Sequence, residues 1–219
     1  MKRKILTASA ALLIFIAIFG CVKPLAKKFY MLNYTPDRLS QRNSSTPYSI
    51  IIRLRPFLIE KAYAKPNIVY RRGAYEFDYY PDHLWAVRPA DMVTDLLYSH
   101  LEGIKLIETL VRRLDEKGTP DYELSGTILA IEEYDSDDTW YARLKISFVL
   151  LDFKTGTAVY SRVFDQTREV TDKKPLGVVK VLSEIMDYTA SLLVTDLDNF
   201  LYETTQKTVE EPSKNIVEK

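Results

Sequence analysis

Side chains that could do chemistry are sparse in this sequence. The chain has two histidines, His83 and His100, and neither has a second histidine, cysteine or glutamate at the spacing of metal ligands. There is no G-x-S-x-G nucleophile elbow, no glycine-rich phosphate loop and no H-E-x-x-H zinc motif. An enzyme needs a converging nucleophile, base or metal set. We therefore predict no catalytic residue, no metal ion and no enzymatic activity.

The densest group of acidic residues is the run EEYDSDD over residues 132–138. In a calcium-binding loop that began at Asp135, Trp140 would stand where a glycine is needed and Ile146 where a bidentate glutamate is needed. These mismatches favour the alternative interpretation, in which the run is the solvated tip of a hairpin. We predict a solvated tip.

The single cysteine, Cys21, follows a basic start, an apolar run from Ile5 to Phe19, and Gly20. This order predicts an export signal over residues 1–20. The four residues Ile18-Phe19-Gly20-Cys21 resemble the lipobox of bacterial lipoproteins, in which the thiol receives a diacylglycerol before cleavage. The alternative is an uncleaved anchor helix, but the run is shorter than the roughly 20 residues that span a bilayer. We expect an N-acyl and S-diacylglycerol lipid on Cys21 and no other cofactor.

Composition limits the partners and the domain organisation. The chain has 30 basic and 30 acidic residues in 219, and no segment concentrates basic charge. Nucleic acid is therefore not an expected partner. One cysteine allows no intrachain disulfide, so packing must hold the fold. We predict a lipidated tether over 21–28, one folded domain over 29–203 and a disordered charged tail over 204–219.

Alternation and helical spacing predict the elements of that domain. Residues 104–113 are ambiguous, and the flanking glycines favour a short strand over a helix. The segment Pro81 to Arg88 is predicted to be a loop, and Gly103 is predicted to end the first helix. The remaining expectations are strands over 29–34, 48–55, 66–71, 74–79, 122–134, 140–153 and 158–164, and helices over 89–102 and 175–201.

This order of elements predicts an α+β fold. A mostly antiparallel sheet would carry two helices on one face and leave the other face to water or a partner. The hairpin joined at Arg72-Gly73 can present rings and guanidinium groups to a neighbouring subunit. Trp85 could anchor a partner or fill the core beneath the hairpin. The partner-binding candidates are Tyr70, Arg71, Arg72, Tyr75, Tyr79, Tyr80 and Trp85.

Several segments resemble one known family when taken in order. They are Tyr30-Met31-Leu32, the segment KPNIVYR over 65–71, the segment LWAVRP over 84–89 and the segment DYEL over 121–124. Together with the lipobox they resemble the ABC-type transport auxiliary lipoproteins, the PqiC-like subunits of the Gram-negative membrane-integrity (Mce-type) lipid transport systems. The resemblance covers roughly Phe29 to Leu201.

The resemblance implies a non-enzymatic lipoprotein in the outer membrane that faces the periplasm. Such subunits work beside an ABC transporter and an Mce-domain protein. This chain would bind that assembly by protein contacts, and several copies of it could form a ring. Val22 follows the cysteine, and the absence of an aspartate there also indicates the outer membrane. An alternative is a periplasmic carrier that holds an acyl ligand between the sheet and the helices.

Overall fold

A computed structural model describes residues 26–36, 43–113, 118–136 and 138–214, with side chains described up to Lys207. The expected signal peptide and Cys21 lie outside these residues. The strands are β1 (Lys28–Tyr30), β2 (Tyr48–Leu54), β3 (Leu58–Ile59), β4 (Asn67–Arg72), β5 (Glu76–Trp85), β6 (Ile107–Val111), β7 (Tyr122–Ser136), β8 (Thr139–Asp152) and β9 (Ala158–Glu169). The helices are α1 (Pro89–Ile104) and α2 (Pro175–Lys214), and a 3-10 turn spans Lys61–Tyr63.

The sheet is organised around β7. On one edge β7 pairs antiparallel with β8, which pairs antiparallel with β9. On the other edge β2, β3 and β4 pair with β7 one after another, all in parallel. The antiparallel ladders are much longer than the parallel ones, so the predicted fold class is confirmed, although parallel ladders occur that the sequence did not indicate.

A β-bulge in β7 changes which side chains face the helices. Ile128 pairs with Ile146, but Ala130 pairs with Lys145, so the alternation shifts by one residue at Leu129. Beyond the bulge, Ile131 lies opposite the buried Leu144 on the helix side. Glu132 therefore points to the other side of the sheet, which we call the open face. On β8 this face is formed by Arg143, Lys145 and Ser147.

Both helices pack on the sheet face opposite the open face. Pro89 occupies the first turn of α1, where its missing N–H costs no hydrogen bond. The core between the layers includes fully buried side chains from β8 and both helices, among them Ile146, Phe148, Leu97, Leu182 and Met186. The N-terminal segment 31–35 lies over the helices, where the Leu32 amide contacts the Met92 sulfur of α1 and the Asn33 amide donates to the Ser183 hydroxyl of α2.

Several predicted boundaries are wrong. Strand β5 continues to Trp85, so residues 81–85 are not a loop; the pairing of β4 with β5 is irregular between Asn67 and Val69, which accommodates Pro81 in the strand. Helix α1 does not end at Gly103, because Lys105 adopts the left-handed conformation at φ 55° instead.

The first strand is shorter than predicted and the last helix is longer, whereas two other predicted segments are confirmed. The first strand ends at Tyr30, because the following residues leave the sheet and cross the helices. Helix α2 continues to Lys214, past the predicted end at residue 201, and residues 215–219 of the predicted tail lie outside the described residues. The strand preferred for residues 104–113 is confirmed as β6, and the predicted three-strand meander is confirmed as β7, β8 and β9.

Candidate interaction surface

A buried carboxylate lies at the centre of the open face. Glu132 is 0% exposed. Its Oε2 atom accepts a hydrogen bond from the Tyr63 hydroxyl at 2.6 Å and another from Arg71 Nε at 3.1 Å. Arg71 also donates to the Tyr63 oxygen at 3.2 Å, which closes a triangle of three side chains. Burial and the neighbouring Glu132 raise the pKa of Tyr63 to about 12. The hydroxyl therefore keeps its proton and stays a donor at neutral pH.

A second arginine extends this group towards the edge strand β9. Arg143 Nη1 lies 3.5 Å from Glu132 Oε1. The same guanidinium makes a two-pronged contact with Asp165, with Nε to Oδ1 at 2.9 Å and Nη2 to Oδ2 at 2.8 Å. Hydrogen bonding to Arg143 lowers the pKa of Asp165, and Lys145 adds a further contact at 3.3 Å. We call Tyr63, Arg71, Glu132, Arg143 and Asp165 the charged cluster.

Aromatic side chains of the β4–β5 hairpin flank the charged cluster. Phe77 packs edge-on against Tyr63, with ring centroids 5.6 Å apart, and the Arg71 guanidinium lies 5.3 Å from the Phe77 ring centroid. Lys65 Nζ lies 4.0 Å above the ring of Tyr79. Tyr75, at the hairpin tip, is fully exposed. Arginine and aromatic residues are enriched at protein–protein interfaces, and Arg71, Phe77, Tyr79 and Tyr75 belong to these residue types.

A surface depression of ≈ 740 Å³ lies over the charged cluster. Arg71, Arg143 and Asp165 form part of its wall, together with residues of β7, β9 and the hairpin turn: Ala74, Tyr134, Gln166 and Thr167. The wall thus offers paired charges and hydrogen-bonding groups at one end of the sheet. It is suited to polar recognition of a partner surface.

The hairpin carries a different set of contacts on its other face. The Tyr70 hydroxyl donates to Asp78 at 3.0 Å, and the Arg72 guanidinium lies 5.3 Å from the Tyr70 ring centroid. The Tyr80 hydroxyl contacts both oxygens of Glu133, at 2.9 and 3.0 Å. Burial raises the pKa of Glu133 to about 7. Because Tyr80 lies in β5 and Glu133 in β7, their hydrogen bonds fix the hairpin to β7 within the fold.

The structure separates the predicted partner-binding residues into four groups. Arg71 and Tyr79 share the open face, whereas Tyr70, Arg72 and Tyr80 lie on the helix side, since successive strand residues alternate. Tyr75 projects from the tip. Trp85 is 3% exposed and belongs to the core, so the structure favours core filling over a partner anchor.

Sequence reasoning missed Tyr63, Glu132, Arg143 and Asp165. The prediction of a solvated tip is wrong for Glu132 and Glu133, because both are buried inside β7. The available signal was two glutamates directly after the apolar residues of a strong strand. Buried carboxylates require charged or hydroxyl partners.

No group of potential metal ligands occurs in the described parts of the chain. His83 lies in β5, and its Nδ1 atom is 2.7 Å from the Tyr30 hydroxyl. His100 is fully buried in α1, and burial lowers its pKa to about 4. Each histidine lies within 4 Å of a carboxylate oxygen: His83 Nε2 is 3.6 Å from Asp82 Oδ2, and His100 Nδ1 is 3.7 Å from Asp187 Oδ1. Within the described residues, neither helix has an apolar stretch long enough to cross a membrane.

Comparison with known proteins places the fold in context. The family model described as "ABC-type transport auxiliary lipoprotein component" matches residues 30–193. The crystal structure of a Xanthomonas campestris protein of the DUF330 family aligns with a TM-score of 0.69 and 19% sequence identity, over 82% of this chain and 99% of the other. A second crystal structure, of an uncharacterized protein, aligns at TM-score 0.60 and 14% identity, over 78% and 99%. These identities establish similarity of fold alone. A search of curated proteins gave no match.

Proposed function

Because this chain belongs to the ABC-type transport auxiliary lipoprotein family, we propose that it is a non-enzymatic, lipid-anchored subunit that docks a lipid transport assembly at the outer membrane. In this role it helps to maintain membrane integrity. Its partners are an Mce-domain protein and the ABC transporter subunits. It acts by protein contacts and by the position of its anchor.

The observation that carries the proposal is the match of the family over residues 30–193, together with a lipobox-like sequence that ends at Cys21, ahead of the matched region. Residues 22–27 separate Cys21 from β1 and span at most about 20 Å when fully extended. Acyl chains on Cys21 would therefore hold the folded domain close to a bilayer. Two or three chains give stable anchoring, whereas one chain gives only marginal binding. Val22 after the cysteine supports the outer membrane as the destination.

The open face supplies the docking surface. It combines the charged cluster with Tyr79, Lys65 and the exposed Tyr75. The charges there are already paired within the chain, so a partner that contacts them need not neutralise an isolated buried charge. A ring of copies would repeat this surface around an axis and present it to the assembly many times.

The alternative of an acyl-ligand carrier has less support. The space between the sheet and the helices is occupied by buried side chains such as Phe148, Met186 and Leu193. A carrier would have to displace them, at a cost of several kcal/mol. Native mass spectrometry after mild extraction separates the two hypotheses, because only a carrier retains a non-covalent lipid.

Copurification from detergent tests the proposal. The wild-type lipoprotein is expected to retain an Mce-domain protein, and Tyr75→Ala is expected to weaken that retention because the removed ring projects from the docking surface. Tyr188→Ala is the matched control, since Tyr188 is exposed on α2, away from the open face. Loss of a tyrosine there should leave retention unchanged. A wild-type protein that copurifies with no Mce-domain protein contradicts the docking role.

A further inference from the structure

Large apolar side chains point outward at the start of the folded domain. Between residues 29 and 35 the side chains alternate, so that Leu32 is buried while its neighbours on the outer side are exposed. The two outer residues nearest the N-terminus are Phe29, which is 63% exposed, and Met31, which is 55% exposed. The next outer residues are the polar Asn33 and Thr35. Within residues 29–35 the outward side chains are therefore apolar at the end that is nearest in sequence to Cys21.

Helix α2 enlarges this apolar surface and gives it a basic rim. Met31 lines a depression of ≈ 470 Å³ together with Leu176 and Lys180, both of which are exposed. Lys27 and Lys28 are exposed directly before Phe29. We call Phe29, Met31 and Leu176 the apolar patch. The same depression is also lined by the carboxylates of Glu184 and Asp187, so the basic charge of this surface comes from Lys27, Lys28 and Lys180 beside the apolar side chains. Apolar side chains flanked by lysines match the chemistry of an anionic membrane surface, where tails and headgroups meet.

The length of chain before the patch restricts where the patch can be. Residues 22–28 separate Cys21 from Phe29, and a stretch of that length spans at most about 25 Å. With its acyl chains in a bilayer, Cys21 confines Phe29 to a thin layer of water next to the headgroups. A short tether raises the effective concentration of bilayer at the patch, so contact costs little additional entropy.

We propose that the apolar patch and its lysine rim form a direct contact between the folded domain and the surface of a phospholipid bilayer. The contact rests on the lipidation of Cys21 that the proposed function requires. It would add a second membrane-binding element to the acyl anchor and fix the orientation of the domain.

This contact has a consequence for docking. The apolar patch lies over the helices, since segment 31–35 contacts Met92 of α1 and Ser183 of α2. The charged cluster lies on the opposite side of the sheet. A domain that rests on the bilayer through the patch turns its open face away from the lipid and towards soluble partners.

Spin labelling of the lipidated protein tests the contact. Once Cys21 is acylated, an introduced cysteine is the only free thiol in the mature chain. Phe29→Cys and Met31→Cys are labelled with a nitroxide in the purified lipoprotein, which is then reconstituted into vesicles of phosphatidylethanolamine and phosphatidylglycerol. Leu58→Cys is the matched control, because Leu58 is 68% exposed and lies beside Ser147 of the open face.

Labels at residues 29 and 31 are expected to collide more with oxygen and less with a water-soluble nickel reagent than the label at residue 58. The ratio of oxygen collisions to nickel collisions should be about tenfold higher at residues 29 and 31 than at residue 58. If the labels at residues 29 and 31 of the lipidated protein are as accessible to the nickel reagent as the control label, the membrane contact is overturned and the acyl anchor is not. Labels that lose access to both reagents only when a protein partner is added also overturn it, in favour of a protein occupant. A mass spectrum without the acyl groups, with a second label on Cys21, overturns both the contact and the anchor.

Discussion

Replacement of Glu132 by glutamine is the sharpest test of the charged cluster. The substitution keeps the size of the side chain but removes a charge that is fully buried and contacted by Tyr63, Arg71 and Arg143. Hydrogen bonds to charged groups contribute about 1.5–3 kcal/mol each, and glutamine still retains one acceptor oxygen. We therefore expect Glu132→Gln to lower the free energy of unfolding by about 3 kcal/mol, since two guanidinium groups lose their buried counter-charge.

Equilibrium unfolding in urea, followed by far-ultraviolet circular dichroism, measures this change. A loss of about 3 kcal/mol moves the midpoint down by roughly 1–2 M urea for a slope of about 2 kcal/mol/M. The control is Glu184→Gln, which removes the same charge from an exposed residue 3.9 Å from Arg168. We expect that control to change stability by less than about 0.5 kcal/mol. Equal effects of the two substitutions would refute the structural importance of Glu132.

Two further predictions concern packing and pH. Gly126→Ala should lower stability by about 1–3 kcal/mol, because the added methyl group would overlap the buried Phe57 ring. Gly103→Ala in α1 meets open space and should raise stability by about 0.5–1 kcal/mol. Urea unfolding measures both changes. Glu133 has its pKa raised to about 7 by burial, so the stability it contributes is present at acid pH and is lost as the pH rises through 7. Glu133→Gln should therefore flatten the stability profile between about pH 4.5 and 7, measured as urea midpoints; a loss of stability with rising pH that is as steep in the variant as in wild type contradicts this assignment.

Local patterns in the sequence predicted the meander and the helices well. The alternation in β8 places Ala142, Leu144 and Ile146 on one face, and those residues are buried against the helices. The start of α1 follows from Pro89, which suits only the first turn. These features depend on neighbours in the chain, so a single sequence contains the information that specifies them.

The charged cluster could not be predicted in the same way. The bulge at Leu129 turns Glu132 to the open face, and no residue type marks that bulge in the sequence. The partners of Glu132 come from the 3-10 turn, β4 and β8, which are far apart along the chain. Lys105 in the left-handed conformation is a similar case, because tertiary packing extends α1 past the glycine that local preference favours as its end.

The most direct test of the lipid-anchored docking subunit is density-gradient fractionation of cells that produce wild-type protein or the Cys21→Ser variant. The serine hydroxyl cannot receive the thioether-linked diacylglycerol, so all acyl anchoring is lost. We expect the wild-type protein in the outer-membrane fraction and the variant outside it. A Cys21→Ser protein that remains with the outer membrane as fully as wild type would contradict the account.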